Sequence, residues 1–306
     1  MYIGVQSGYI YGDHDFEKGL QMIKDAGFDC IDYNIDEKLR IGALAQKGEN
    51  PFFSKSVEEI LDFFRPQKEA ADRIGVRYGQ MHAPFPVYVE GNDAANEAII
   101  DAVEKCMAVC ALFACPYLIV HPIIWSGSKA EEYEMNMAFY QKLIPAAKQY
   151  GVCICLENMF DGSTGHIVEA VCSDFADAVR YIDELNAIAG EEIFGFCYDV
   201  GHATLLGKNQ RRSLNILGKR VKALHIHDND GRSDLHMQPF AYSRGRYYVT
   251  EWDELLAGLS DIGYDGVLSF ETFHSLTALP DPLKPSMLSY IASCGRYFSE
   301  VIEASK

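Results

Sequence analysis

The stretch AAKQYGVCICLE, residues 146–157, contains one complete change from a helix to a strand. Its first half ends a helical segment, Gly151 is the residue type that closes helices in the left-handed conformation, and VCICLE is a short apolar run. A glycine between a helical segment and a short strand-like run occurs again at Gly27, Gly75 and Gly263. This repetition predicts a chain in which helices and strands alternate.

Eight strand candidates are distributed along the chain, with helical segments between them. They are YIGVQ (2–6), FDCIDY (28–33), VRYGQMH (76–82), YLIVH (117–121), VCICLE (152–157), FGFCYD (194–199), VKALHIH (221–227) and DGVLSFE (265–271). Eight alternating repeats are typical of the α/β class and predict a parallel (β/α)8 TIM barrel that forms a single domain over residues 1–306. An open doubly wound sheet is the alternative. It is disfavoured because the first strand lacks GxGxxG and because no GxxxxGK[ST] occurs.

One predicted helix, residues 56–75, carries two further local signals. Ser56 and Glu59 have the spacing of a capping box, which predicts the start of the helix. Pro66 lies inside the helix, where it lacks an amide donor and crowds the preceding turn, so it predicts a kink or a break.

The composition restricts the partners and the compartment of this protein. The 306 residues include 44 acidic and 27 basic side chains, which gives a formal net charge of −17. Nucleic acid is disfavoured as a partner because its non-specific binding depends on Lys and Arg. The start of the sequence is typical of a first strand and not of a signal peptide, and its apolar runs are too short to predict a membrane span. Its nine scattered cysteines are typical of reduced, buried thiols. These features predict a cytoplasmic protein.

Polar side chains occur at the ends of the predicted strands, where parallel barrels build their active sites. Glu157, Asp199 and Glu271 end the fifth, sixth and eighth strands, and His225 lies near the end of the seventh. Carboxylates brought together on the barrel axis repel one another unless a cation lies between them. Mixed oxygen and imidazole donors suit a divalent metal such as Mn, Co, Zn, Fe or Mg. We therefore expect a divalent-metal site.

Seven short motifs carry a resemblance to a known family. They are MHAP (81–84), VHP (120–122), LEN (156–158), DVGH (199–202), LHIHD (224–228), DLH (234–236) and FET (270–272). The ordered set covers the whole chain and resembles the xylose-isomerase-like TIM-barrel superfamily of sugar phosphate isomerases and epimerases. Within that superfamily, the set is similar to the ketose 3-epimerase branch, and it also carries a ligand pattern like that of endonuclease IV.

The resemblance to the ketose 3-epimerases implies one divalent metal held by Glu157, Asp199, His225 and Glu271. His225 is preferred to His227 because the ligand histidine of these relatives precedes an acidic residue by three positions, as it does within LHIHD. The implied activity is isomerisation or epimerisation of a ketose or ketose phosphate. Glu157 and Glu271 are the implied catalytic residues, which would remove and return a proton through a metal-stabilised enediolate.

The resemblance to endonuclease IV implies three zinc ions held by nine residues, and every position has a candidate. They are His82, His121, Glu157, Asp199, His202, His225, Asp234, His236 and Glu271. Two features count against an endonuclease: the segment after DLH lacks the GEG typical of those enzymes, and the net charge would repel DNA. His82, His121, His202, Asp234 and His236 are therefore candidates for either additional metal or substrate contacts.

A small carbohydrate is the expected partner, and five residues are candidates to bind it. His202 matches the residue that contacts substrate beside the metal in the epimerases. The other four are His227 beside the ligand histidine, Trp125 after VHP, and Arg232 and Arg246 in the long segment 228–250. Alternative functions are an endonuclease IV-like phosphodiesterase, a lyase or dehydratase that uses the same enolate, and a non-catalytic sugar-binding barrel. Assembly into a homo-oligomer is left open.

Overall fold

The computed structural model describes residues 1–48 and 50–305. Within these residues, eight parallel strands form one sheet, and each overlaps a strand predicted from the sequence. They are β1 (Tyr2–Gln6), β2 (Cys30–Asn34), β3 (Arg77–His82), β4 (Tyr117–Ile119), β5 (Cys153–Glu157), β6 (Phe194–Asp199), β7 (Val221–His225) and β8 (Val267–Phe270).

The sheet closes on itself between β7 and β8. β8 pairs with β1, and the pairing then continues through consecutive strands to β7. At the remaining seam, the amide of Ile226 donates to the carbonyl of Ser269 at 2.9 Å, and the amide of Glu271 donates to the carbonyl of Ile226 at 3.1 Å. The predicted (β/α)8 barrel is therefore confirmed as the fold.

Helices cover the outside of the barrel and connect its strands. They are α1 (Phe16–Ala26), α2 (Ile41–Lys47), α3 (Val57–Ile74), α4 (Asp93–Phe113), α5 (Lys129–Tyr150), α6 (Phe175–Ala189), α7 (Val200–Leu205), α8 (Gln210–Leu217), α9 (Trp252–Asp261), α10 (Phe273–Thr277) and α11 (Lys284–Ala304). The sequence did not predict α2, α7, α8 or α10, which are all short. Among the described residues, no helix combines the length and apolar content needed to cross a membrane.

The local sequence signals predict the helix ends correctly but not the effect of a proline within a helix. Gly151 closes α5 with φ of 65°, a conformation that a side chain would strain. Ser56 and Glu59 form the predicted capping box at the start of α3. The predicted break at Pro66 is wrong, because α3 continues through it. Both Pro66 and Asp62, whose carbonyl loses its helical partner, are exposed, so that water can replace the missing bond.

The interior of the barrel changes from small and apolar to polar along its axis. A Cβ on Gly4 would lie 2.8 Å from the side chain of Val267, so the lower strands approach too closely for a larger residue. Above them lies a small buried cluster, which includes two of the free cysteines: Ile119, Cys155, Cys197 and Ala223. Asp32, Gln80 and Ser269 are buried polar residues of the same interior. The polar groups thus lie towards the end of the barrel where the candidate ligands are found.

Candidate functional site

The four residues predicted as metal ligands lie together at the C-terminal ends of the strands. Glu157, Asp199 and His225 are the last residues of β5, β6 and β7, and Glu271 directly follows β8. Each is at most 6% exposed. The alternation of side chains along a strand turns their apolar neighbours towards the helices and these four towards the barrel axis.

His225 lies at the centre of this group. Its Nδ1 atom is 3.1 Å from Oε1 of Glu157, 3.4 Å from Oε2 of Glu271 and 3.8 Å from Oδ2 of Asp199. Three carboxylates and one imidazole therefore converge on a single small volume. The structure brings the four residues together as the motifs indicate, and their role as ligands stays a prediction.

A second group lies beside Glu157 and contains two histidines from the β3 and β4 ends. Nε2 of His82 lies 3.0 Å from Nε2 of His121, which in turn lies 3.1 Å from Oε2 of Glu157. Nδ1 of His82 is 2.7 Å from the carbonyl of Ala83, so this contact orients the ring. His82 and His121 thus direct nitrogens towards the same carboxylate oxygen.

A third group lies on the other side of Asp199. Asp234 is its centre, with Oδ2 at 2.9 Å from Nε2 of His236 and at 3.5 Å from Nε2 of His202. Nε2 of His227 lies 3.2 Å from Oδ1 of Asp199 and 3.8 Å from Oδ1 of Asp234. His227 is fully buried and lies between two acidic groups, and it does not line the cavity above this site.

Three residues that the sequence did not single out hold the predicted ligands in place. Oδ2 of Asp32 in β2 lies 3.2 Å from Nε2 of His225. Nε2 of Gln6, the last residue of β1, donates to Oε1 of Glu271 at 2.6 Å. The side chain of Asn158 bonds both the amide and the carbonyl of Asp199, each at 2.9 Å. The sequence did offer one signal for Asp32, namely an acidic residue within an apolar strand. It differed from the other candidates because it does not lie at the strand end.

The two candidate catalytic carboxyls are in opposite electrostatic environments. Burial alone would raise the pKa of Glu157, but the charges of His225 and His121 outweigh it and hold that pKa well below its ordinary range. Burial raises the pKa of Glu271 to about 8, and the nearby charges of Glu157 and Asp199 add to the rise. Carboxyl groups whose pKa values are moved apart in this way are typical of acid–base sites.

The histidines also differ in protonation. Burial lowers the pKa of His82 to about 3, and the neighbouring His121 adds to the fall, so His82 is neutral at physiological pH. Burial would also lower the pKa of His225, but the surrounding acidic groups raise it well above its usual value. Without a metal, a proton on His225 would offset part of the negative charge of these carboxylates, and a bound cation would take the place of that proton.

The donor set fits a divalent cation. Oε2 of Glu157 and Oδ1 of Asp234 are buried without an aligned hydrogen bond. Within the described residues, donor atoms that lie within 4.8 Å of one another occur around His225 and in both flanking groups. Carboxylate oxygens and imidazole nitrogens are ligands suited to Mn, Co, Zn, Fe or Mg. A cation among these buried acids would offset the repulsion that they otherwise suffer.

A cavity of about 540 Å³ lies over the three groups. Seven of the nine predicted ligands line it: His82, His121, Glu157, His202, Asp234, His236 and Glu271. Loops after several strands form its walls and contribute mainly aromatic and aliphatic side chains. A concave, largely apolar site with a few convergent polar groups is typical of small-molecule binding.

Trp125, Arg232 and Arg246 lie outside the lining of this cavity. Trp125 belongs to a separate surface groove, and its amide donates to Glu132 at 2.9 Å. Both arginines are exposed. Asp228 anchors their segment by accepting hydrogen bonds from the Thr250 hydroxyl and the Tyr242 amide. The three residues stay predictions as substrate contacts, without support from their positions.

Comparison with known proteins gives the family and the fold. The family model described as xylose isomerase-like TIM barrel matches residues 20–290. An uncharacterized protein of Methanocaldococcus jannaschii is 27% identical over 201 residues, or 62% of this chain, and the match spans only 63% of that relative's length. The crystal structure of D-psicose 3-epimerase in the presence of D-fructose is 15% identical with a TM-score of 0.70, over 97% of this chain and 99% of that one.

The crystal structure of the IolI protein with a binding zinc atom is similarly related. It is 18% identical with a TM-score of 0.68, and the match covers 100% of this chain and 99% of that one. At these identities, the two solved structures support the barrel and leave the activity of this chain to be proposed. The family model covers most of the chain, and its range includes all seven motifs between residues 81 and 272. The chain therefore belongs to the xylose isomerase-like TIM-barrel family.

Proposed function

We propose that this protein is a divalent-metal-dependent isomerase or epimerase that acts on a sugar or sugar derivative by proton transfer. The observation that carries the proposal is the arrangement of Glu157 and Glu271. Both carboxylates are buried at the floor of the cavity, and both approach Nδ1 of His225, at 3.1 and 3.4 Å. This pairing supplies two acid–base groups at one metal-competent position.

The two carboxylates reach the cavity from different directions, because β6 and β7 separate β5 from β8 in the sheet. Glu157, Asp199, His225 and Glu271 would hold the metal, which when bound would polarise a substrate carbonyl as a Lewis acid. One carboxylate removes the proton from the carbon next to that carbonyl, and the other delivers a proton to the opposite face of the same carbon. Gln6 holds Glu271 in position through its 2.6 Å hydrogen bond.

His202 is placed to orient the substrate in this scheme. Its Nδ1 atom lies 2.8 Å from the carbonyl of Asn158, which fixes the ring, and the residue lines the cavity. Sugar hydroxyls are donors and acceptors that an imidazole nitrogen matches well. The known activities of solved relatives, such as the D-psicose 3-epimerase, agree with a carbohydrate substrate.

Proton exchange tests the proposal directly. Protein loaded with Mn²⁺ is incubated in deuterium oxide with a panel of ketoses and ketose phosphates, and deuterium incorporation at carbon is followed by NMR. We expect Glu157→Gln and Glu271→Gln each to reduce exchange by about 10²–10⁴-fold. Exposed Glu69 in α3 provides the matched control, Glu69→Gln, which should leave exchange unchanged. Full exchange in either site variant would refute the assignment.

A metal-dependent phosphodiesterase is the second candidate, because the potential ligands form several overlapping groups rather than one. Three of these groups are His82, His121 and Glu157; Asp199, His225 and Glu271; and His202, His227, Asp234 and His236. Elemental analysis after purification separates the two candidates: one metal per chain supports the epimerase, and three support the phosphodiesterase. Hydrolysis of an abasic-site DNA duplex without sugar exchange would establish the latter.

The remaining alternatives give different products in the same assay. A lyase or dehydratase would exchange the proton and also release a fragment or water, which NMR detects as a shortened carbon chain or as a dehydrated product. A non-catalytic sugar-binding barrel would bind the sugar without any deuterium incorporation. The exchange experiment therefore distinguishes the proposed isomerase or epimerase from both.

A further inference from the structure

We infer that the substrate is uncharged and longer than one sugar ring, with its reacting end on the polar floor and a second ring at the aromatic mouth of the cavity. The inference rests on the proposed function, because it names the substrate class of the same site. It is carried by three observations on the cavity: its aromatic collar, its charges and its size. The collar consists of Tyr9, Phe85, Phe160 and Phe273.

Three phenylalanines of the collar contact histidines of the floor. The ring centroid of Phe85 lies 4.6 Å from that of His121, and the ring centroid of Phe160 lies 4.9 Å from that of His202. Phe273 stacks on His236 with centroids 4.3 Å apart. The phenylalanines follow three different strands, β3, β5 and β8. Polar groups below and aromatic rings above therefore divide the cavity into two chemically distinct levels.

Tyr9 completes the collar in an exposed position. Its side chain is 60% exposed, and its ring lies 5.9 Å from that of Phe273. The backbone φ of Tyr9 is 62°, a left-handed conformation that costs free energy for a residue with a side chain. Such strain is concentrated at functional positions, and here it holds an aromatic face at the cavity mouth. Aromatic rings bind flat, apolar faces of ligands, including sugar and aryl rings.

The charges of the cavity are unsuited to a phosphate group. Among the described residues that line it, Lys38 is the only Lys or Arg. Lys38 forms an ion pair with the carboxylate of Asp13 and lies 5.4 Å from the centroid of the Phe63 ring. Asp36 lies at the same end of the cavity and accepts the amide of Phe85 at 3.1 Å. A distal phosphate would meet these carboxylates without an uncommitted cation to bind it.

The size of the cavity allows the second ring. A volume of about 540 Å³ lies within the range of roughly 300–1,000 Å³ that holds drug-sized ligands. The collar lies above the histidines rather than beside the carboxylates, so a sugar that reacts at Glu157 and Glu271 leaves the aromatic level to a substituent. A glycoside of a keto sugar, which retains the carbonyl that the reaction requires and carries a neutral second ring, satisfies both the size and the charge of the cavity.

Calorimetric titration of the Mn²⁺-loaded protein tests this inference with three probes: phenyl β-D-glucoside, methyl β-D-glucoside and D-glucose 6-phosphate. We expect the phenyl glucoside to bind about three- to tenfold more tightly than the methyl glucoside. Tyr9→Ala and Phe85→Leu should reduce that ratio, whereas Tyr297→Ala, which removes a 51% exposed tyrosine on α11, should not. The 6-phosphate should bind no more tightly than the methyl glucoside.

Two results would overturn the inference: tighter binding of the 6-phosphate, or equal binding of the two glucosides. Phe85→Leu retains apolar bulk, so a loss of the phenyl preference in this variant reports the ring and not a collapse of the fold. The failure of the proposed function is seen separately, as the absence of deuterium exchange with every ketose, ketose phosphate and keto-sugar glycoside. Binding preference and exchange are measured independently, so either can fail alone.

Discussion

Oδ2 of Asp32 lies 3.2 Å from Nε2 of His225, and both residues are fully buried on the barrel axis. Nε2 of Gln80 donates to the same carboxylate oxygen at 2.8 Å, which fixes its position. Nε2 of His225 thus faces this carboxylate, without an aligned hydrogen bond, whereas Nδ1 faces Glu157 and Glu271. A carboxylate beside one ring nitrogen of a ligand histidine favours the tautomer in which the other nitrogen carries the lone pair. Asp32 therefore orients the central candidate ligand from behind.

The Asp32→Asn variant tests this relationship. The amide is a weaker acceptor for Nε2–H, so we expect metal affinity to fall by about 10–100-fold, as is usual for groups that support a ligand histidine. Competition with a chromophoric chelator measures the affinity without any need for turnover. Asp265→Asn, at an exposed position before β8, is the control. An unchanged affinity in Asp32→Asn would show that Asp32 does not orient His225.

Removal of divalent metal should lower the melting temperature. Glu157, Asp199 and Asp32 are at most 1% exposed, and without a cation their mutual repulsion is offset by neighbouring histidines and by hydrogen-bond donors such as Gln80. A ligand that binds only the folded state at 100 times its Kd adds about 2.7 kcal/mol of stability. Calorimetry with EDTA and after restoration of Mn²⁺ or Zn²⁺ measures the effect. Equal melting temperatures in the two conditions would contradict a metal site here.

Gly201 in the DVGH motif should be intolerant of substitution. A Cβ on this residue would lie 1.8 Å from Cε1 of His227, so Gly201→Ala must displace that ring. We expect lower stability and weaker metal binding, measured by urea unfolding and chelator competition. Gly42→Ala is the matched control, because Gly42 lies in α2 with open space around it and alanine there should stabilise by about 0.5–1 kcal/mol. Wild-type metal affinity in Gly201→Ala would exclude a role for the position of His227.

The contact between Asp29 and Arg296 predicts a pH dependence of stability away from the site. Nη1 of Arg296 lies 2.8 Å from Oδ2 of Asp29, which also accepts the amide of Ile3 at 2.9 Å. Burial would raise the pKa of Asp29, but these hydrogen bonds outweigh it and lower that pKa. A depressed pKa stabilises the fold above the unfolded value of about 3.9, and that contribution is lost as the pH falls further.

We therefore expect Asp29→Asn to destabilise the protein more at pH 6 than at pH 3. Urea unfolding of the metal-free wild type and variant at the two pH values gives the difference in the free energy of unfolding. Asp25→Asn, at an exposed position in α1, serves for comparison. An equal cost of Asp29→Asn at both pH values would assign its effect to packing instead of charge.

The sequence was sufficient to predict the fold and the convergence of the ligands, because both depend on regular features. Strands that alternate with helices leave few topologies, and residues at the ends of parallel strands must meet at one rim. Glu157 and Asp199 could therefore be placed together without a structure. Asp32 could not, because an acidic residue within a strand looks the same whether it faces a histidine or the helix layer.

The loops were less predictable for a different physical reason. The segment 228–250 has no regular repeat, and its path depends on Asp228, whose carboxylate accepts the Thr250 hydroxyl at 2.7 Å and the Tyr242 amide at 3.0 Å. Arg232 and Arg246 are exposed in this segment, and the expectation that they contact substrate, which came from their place in the long segment after the seventh strand, stays a prediction. Pro66 was misjudged because its exposure, which makes the missing bond inexpensive, is a tertiary property.

The seam between β7 and β8 has a dynamic consequence. Ile226 makes both of these hydrogen bonds, one with Ser269 and one with Glu271. It lies between His225 and His227 in the chain, and Glu271 is itself a candidate ligand. Any local opening of the barrel at this point must separate His225 from Glu271. A bound cation would thus hold β7 and β8 together at this point. Amide hydrogen exchange at Ile226 and Glu271 would then be slower with the metal bound than without it.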